Sequence, residues 1–212
     1  MALAPSPATI PPDLERAPLL LPLDLRLTPE QFERVCQANP EAVLELAADG
    51  TLIAMTPTGG ETGTTNGELL YQLGSFCRRH PDWRMFDSST GFRLPDGSVL
   101  SPDGSLLRQE RWLALDAVDR RRFPPLCPEL VIELARPSDE GPRGVSALRR
   151  KMELYVANGA HLGWLLLCQE RAVEIWRAGQ PGMAERIEKA SRLEGAELAE
   201  GLALDLEQLW AT

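Results

Sequence analysis

Glu129-Leu130-Val131-Ile132-Glu133-Leu134-Ala135 decides the fold. It is the clearest buried strand in the chain. Pro137-Ser138-Asp139 closes it. Side chains alternate along a strand, so Glu133 shares a face with Val131 and Ala135. Leu130, Ile132 and Leu134 point the other way. A carboxylate in such a run is costly unless it is paired or bound to a cation. Two readings stand: an edge strand with Glu133 in water, or a buried strand with Glu133 at work.

The flanks supply the rest of the fold. Downstream, a helix spans about Ser146 to Asn158, and Asn158-Gly159 caps its end. Strands at Leu162–Leu167 and Ala172–Arg177 follow, with an edge that a partner could use. Residues 179–212 read as polar turns and a short terminal segment, 202–206. Upstream, Thr28 caps a helix with Pro29 at N1 and Gln31 in the capping-box position. Asn39-Pro40 ends it. Strands at 43–47 and 51–55 flank Asp49-Gly50, a hairpin signal. The 57–63 loop lacks the GK[ST] ending of a phosphate-cradling loop. A helix covers Asn66 to Arg79, with Leu69, Leu73 and Phe76 on its apolar stripe and Glu68 in its first turn. A second hairpin joins 91–94 to 98–100 through Asp96-Gly97. Residues 109–127 read as a helical excursion. Strands and helices interleave, which predicts an α/β (α+β) chain with a mixed central sheet flanked by helices and an N-terminal hairpin. Residues 1–22, with six prolines, form a flexible leader ahead of one domain over 23–212.

Composition narrows the class. The chain has 212 residues, 43% hydrophobic and 25% charged, ordinary values for a globular protein. No apolar run reaches the roughly 18 residues of a membrane span. Leu19, Leu20 and Leu21 lack a basic lead-in, against a secretory signal. Four dispersed cysteines without a CxxC suit a reducing cytoplasm. The net charge of −9 disfavours a non-specific grip on phosphate backbones. Arginines nevertheless cluster at Arg120, Arg121, Arg122 and at Arg143, Arg149, Arg150. With only two histidines, His80 and His161, and no GxSxG, a serine hydrolase fares badly.

Asp103 sharpens the question about Glu133. It follows Pro102, which marks a strand start or edge. Pro-Asp, then a strand, then a strand with a lone acid is a pairing that suits divalent-metal phosphodiester chemistry. Mg²⁺ takes oxygen ligands, typically one or two carboxylates plus waters and substrate phosphate. A nearby lysine can orient the attacking water or neutralise developing charge. Lys151 is the candidate, beside the Leu148, Met152, Tyr155 stripe of its helix. Its alternative is an exposed lysine next to Arg149 and Arg150.

Taken together, these stretches resemble the Uma2 family of restriction-endonuclease-like proteins. The motifs are Met55 to Gly63, Asn66-Gly67-Glu68, Gly91-Phe92-Arg93-Leu94-Pro95-Asp96-Gly97, Pro102-Asp103, Glu133 to Asp139, Lys151-Met152-Glu153-Leu154-Tyr155, Asn158-Gly159 and Leu162-Gly163-Trp164. They run in the family's order from about residue 28 to the C-terminus. The resemblance implies a PD-(D/E)xK nuclease core and Mg²⁺, with Mn²⁺ as a substitute, held by Asp103, Glu133 and Glu68. It implies hydrolysis of DNA in a homodimer. Two departures stand out. The lysine expected two residues after the strand acid is Ala135, and its role passes to Lys151. Gly104 takes the place of a common alanine and is expected to loosen the strand. The alternative is a catalytically silent nuclease fold kept for dimerisation or partner binding.

Overall fold

The computed structural model describes residues 24–135, 144–180 and 182–211. The leader, the Pro137-Ser138-Asp139 turn and Arg143 lie outside the described residues. Helix α1 (Pro29–Ala38) starts with the expected capping box, Thr28 and Gln31 each bonding the other's backbone N–H. Strands β1 (Val43–Leu46) and β2 (Leu52–Met55) form the first hairpin around Gly50, whose φ of 83° suits glycine. Then come α2 (Gly60–Arg79), β3 (Trp83–Asp87), β4 (Phe92–Arg93), β5 (Val99–Leu100), β6 (Gly104–Arg108) and α3 (Gln109–Ala114). The second half holds β7 (Leu130–Ala135), α4 (Val145–Ala157), β8 (Leu162–Leu167), β9 (Ala172–Arg177), β10 (Glu185–Glu188), β11 (Arg192–Glu194), β12 (Ala203–Asp205) and α5 (Leu206–Trp210).

The central sheet has the order β10-β9-β8-β7-β6-β3. It is mixed: β7 and β8 are parallel and linked by α4, while the other described pairs are antiparallel. Strand β7 is therefore interior, which removes the reading of Glu133 as an edge residue in water. Leu130, Ile132 and Leu134 pack with Leu69, Leu73 and Phe76 of α2. Val131 and Ala135 pack with Met152 and Tyr155 of α4 on the opposite face. Each such fully buried aliphatic side chain is worth about 1.5–3 kcal/mol. A smaller sheet, β2-β1-β5-β4, adjoins the first. The Ser101-Pro102-Asp103 loop carries the chain from β5 of the small sheet into β6 of the large one.

Several elements differ from expectation. Helix α2 begins at Gly60 rather than Asn66, its first turns closed by Thr64 and Thr65 onto the Glu61 carbonyl. Strand β3 was not expected; it becomes one by pairing along β6. The 109–127 excursion is helical only in α3 and a 3₁₀ turn at Asp119–Arg121. The tail contains β10, β11, β12 and α5 instead of turns alone. Because β10 pairs with β9, the edge expected at 162–177 is covered. Gly104 is also better placed than its loosening role implied. A Cβ there would stand 3.0 Å from Leu73 and 3.3 Å from Leu69, so the glycine lets α2 settle on β6. Among the described residues no helix is long and apolar enough to cross a membrane.

The Gly91-Phe92-Arg93-Leu94 motif has a packing reason as well. A Cβ on Gly91 would lie 2.9 Å from the Phe123 ring and 3.2 Å from Val99. Phe123 in turn packs against Phe32, ring centroids 5.5 Å apart. Gly91→Ala is expected to cost about 1–3 kcal/mol through overpacking. Chemical denaturation measures this; an unchanged midpoint and slope would show that Phe123 yields freely.

Candidate active site

The register of β6 on β7 sets Gly104 opposite Ile132 and Ser105 opposite Val131. One step further along that register, Asp103 faces Glu133. Directly opposed residues share a face of the sheet. Both carboxylates therefore sit on the side covered by α4, and both are buried. Helix α4 returns over this face because β7 and β8 are parallel and need a crossover. That crossover brings Lys151 to the acids: its Nζ lies 2.8 Å from Glu133 Oε1.

A third acid completes the group, and it is Glu45 of β1. Its Oε1 is 2.8 Å from Lys151 Nζ and accepts the Ser101 N–H at 2.8 Å. Lys151 also donates to the Ser101 carbonyl, at 3.3 Å. The small sheet is thus fastened to this face of the central sheet through one carboxylate and one ammonium. Tyr155, one turn after Lys151, donates its hydroxyl to Glu133 Oε1 at 3.2 Å. Asp103 Oδ2 accepts the Leu134 N–H at 2.8 Å. These donors fix the carboxylates while leaving Glu133 Oε2 without a hydrogen-bond partner shown among the described residues.

Charge bookkeeping separates these acids from the others. The buried acids among the described residues are Glu45, Asp103, Glu129, Glu133 and Glu174. Glu129 has its own arginine, Arg111, and Glu174 has Arg149 and Arg186. Glu45 and Glu133 share a single lysine, with Asp103 beside them. Burial pushes the Glu133 carboxyl up to about 8; Lys151 opposes the rise, while Asp103 and Glu45 add to it. Burial also favours a neutral amine at Lys151, but Glu133 and Glu45 outweigh it and hold the ammonium protonated. Tyr155, buried beside Glu133, stays protonated well beyond the usual phenol range and acts as a donor.

The group opens into a cavity of about 480 Å³. Glu45, Asp103, Glu133 and Lys151 line it with Ser101, and its walls are aliphatic. Glu68 does not line it. That carboxylate, on α2, accepts from Gln72 at 2.9 Å, and Gln72 is bound in turn to the Asp205 backbone. The acid expected from the first half of the chain is thus Glu45 rather than Glu68 at this cavity. The signal for Glu45 was the same one that marked Glu133: an acid on the apolar face of a strand.

The donor set suits a hard divalent cation: clustered carboxylate oxygens and room for water. Among the described residues no three acid, histidine or cysteine side chains already close on a common point. Two carboxylates with waters and a phosphate are enough for Mg²⁺. Asp103 and Glu133 are the pair that fits this minimum, and Lys151 sits where it can face the same ligand.

Comparison with known proteins follows this geometry. The Uma2 family model, described as "Putative restriction endonuclease", matches residues 29–209. The fold is similar to the crystal structure of a "putative nuclease belonging to DUF820" from Anabaena variabilis, with a TM-score of 0.69 and 18% identity. That similarity covers 87% of this chain and 98% of the other. No curated protein matches the chain significantly.

Proposed function

The chain belongs to the Uma2 family, and on that premise we propose that it is a Mg²⁺- or Mn²⁺-dependent nuclease that hydrolyses DNA. The observation that carries this reading is the meeting of Asp103, Glu133 and Lys151 at one cavity. Asp103 and Glu133 would hold the ion, which when bound supplies charge stabilisation at the phosphate and a more acidic water. Tyr155 and the Leu134 N–H keep the two carboxylates in place. Lys151 works as a cation, since Glu133 and Glu45 hold it protonated. Its N–H groups can orient the attacking water or donate to a phosphate oxygen as negative charge grows there. Glu45 aims the ammonium and ties it to the Ser101 loop.

Purified protein is expected to nick supercoiled plasmid in Mg²⁺ or Mn²⁺ but not in chelator, and Asp103→Ala is expected to be inert. Identical behaviour of the two proteins sinks the reading. A silent fold has one observation in its favour: Lys151 already bridges Glu133 and Glu45 by itself. The same experiment separates the two, because a silent fold nicks nothing and gains no stability from metal.

A further inference from the structure

We propose that the substrate strand enters this site unpaired, with one nucleotide inside the cavity and a flanking phosphate on Arg150. The inference rests on the nuclease reading above and names its substrate class. Three observations carry it. The first is size and shape. About 480 Å³ is room for one nucleotide-sized group. The acids sit in this recess rather than on an open face, and a base inside a duplex is stacked, paired and unable to enter such a recess without extrusion.

The second is the chemistry of the walls. Ile53 and Met55 of β2 and Leu148 and Leu154 of α4 all line the space. Apolar side chains of this kind do nothing for a hydrated phosphate track. They do favour the faces of an unpaired base, which every nucleotide presents whatever its sequence. The lining thus combines carboxylates with aliphatic side chains, matching the two halves of a nucleotide, its phosphate reaching the metal-binding carboxylates.

The third is Arg150. It lines the cavity and is exposed. Its neighbour Arg149 is taken up by Glu174, and Arg111, Arg177 and Arg186 are paired as well. Arg150 has no carboxylate partner among the described residues. A guanidinium with no carboxylate partner among the described residues, on the lining of a cavity that also holds acids, is complementary to a phosphate one step along the strand. A single strand also needs only one site, without the second copy that a duplex cutter uses.

The test compares three end-labelled substrates in Mn²⁺: a single-stranded 20-mer, its blunt duplex, and the duplex with a short single-stranded gap. Full-length protein is expected to cut the single-stranded and gapped forms about tenfold faster than the duplex, or more. Arg150→Ala is expected to raise KM for the single strand several-fold with kcat little changed. Ile53→Trp, which fills the cavity, is expected to abolish the strand preference while keeping the metal-linked rise in melting temperature. Duplex cut as fast as single strand, or a preference untouched in both variants, overturns the inference and leaves the nuclease reading standing. No cleavage of any form removes the nuclease reading, and this inference with it.

Discussion

Lys151→Met is expected to destabilise the protein by about 3–5 kcal/mol at pH 8, the cost of leaving buried charge without its partner. The reason is local. Glu133 and Glu45 each lie 2.8 Å from Lys151 Nζ, and Asp103 stands on the same face. Without the ammonium, these buried carboxylates are left close together with little solvent to screen them. Protonation relieves the repulsion, so the defect should shrink towards pH 5. The same linkage operates, more weakly, in the wild type. Glu133 titrates near 8 in the folded protein against 4.5 for an ordinary glutamate. The folded state therefore binds the proton more tightly. Its contribution is fully present below about 4.5 and is lost as pH rises through about 8. Denaturant titrations of both proteins at pH 5 and pH 8 check this. An equal loss at the two pH values would mean that Lys151 matters for packing rather than charge.

Glu133→Gln is expected to act in opposite directions on stability and activity. Cleavage falls about a thousandfold or more, comparable to removing a central electrostatic group in other enzymes. Metal-free stability holds or rises below about pH 8, because the neutral amide keeps the shape of a carboxyl that burial already holds protonated there. Glu45 remains to pair Lys151, so the ammonium is not orphaned. In the wild type, metal at a hundredfold excess over its Kd adds about 2.7 kcal/mol. At this chain length that is a rise of about 5–10 °C in melting temperature. The rise should vanish in Glu133→Gln. Melting curves with and without Mn²⁺ read both effects. A metal-linked rise that survives the substitution would exclude Glu133 as a ligand.

The two acids that anchor these predictions were visible in the chain for a simple reason. Glu133 breaks an apolar strand, and Asp103 follows a proline that marks a strand boundary. Both signals lie within a few residues. Lys151 needed more, since its helix had to be assigned to the Glu133 face, and α4 covers that face only because β8 runs parallel to β7. Glu45 carried the same local signal as Glu133, but nothing nearby in the chain tied it to the site. Its partners, Ser101 and Lys151, are 56 and 106 residues away, and its importance depends on β1 pairing with β5. Glu68 was misdirected for the converse reason. It lies on the long helix expected for it, but its carboxylate accepts from Gln72 of the same helix, which is bound in turn to the Asp205 backbone.

Local order thus came from neighbouring residues: the capping box at Thr28, the glycine turns at Gly50 and Gly97, and the alternation across β7 are short-range stereochemistry. Such features depend on backbone torsion and on which face a side chain takes, and a few residues suffice to set both. Long-range assembly settled the rest. It chose Glu45 over Glu68 for the cavity, buried the 162–177 edge under β10, and gave Arg149 to Glu174 while Arg150 has no carboxylate partner among the described residues. Those outcomes depend on which strands pair across a hundred residues and on how buried charges find counterions, and both are properties of the packed whole.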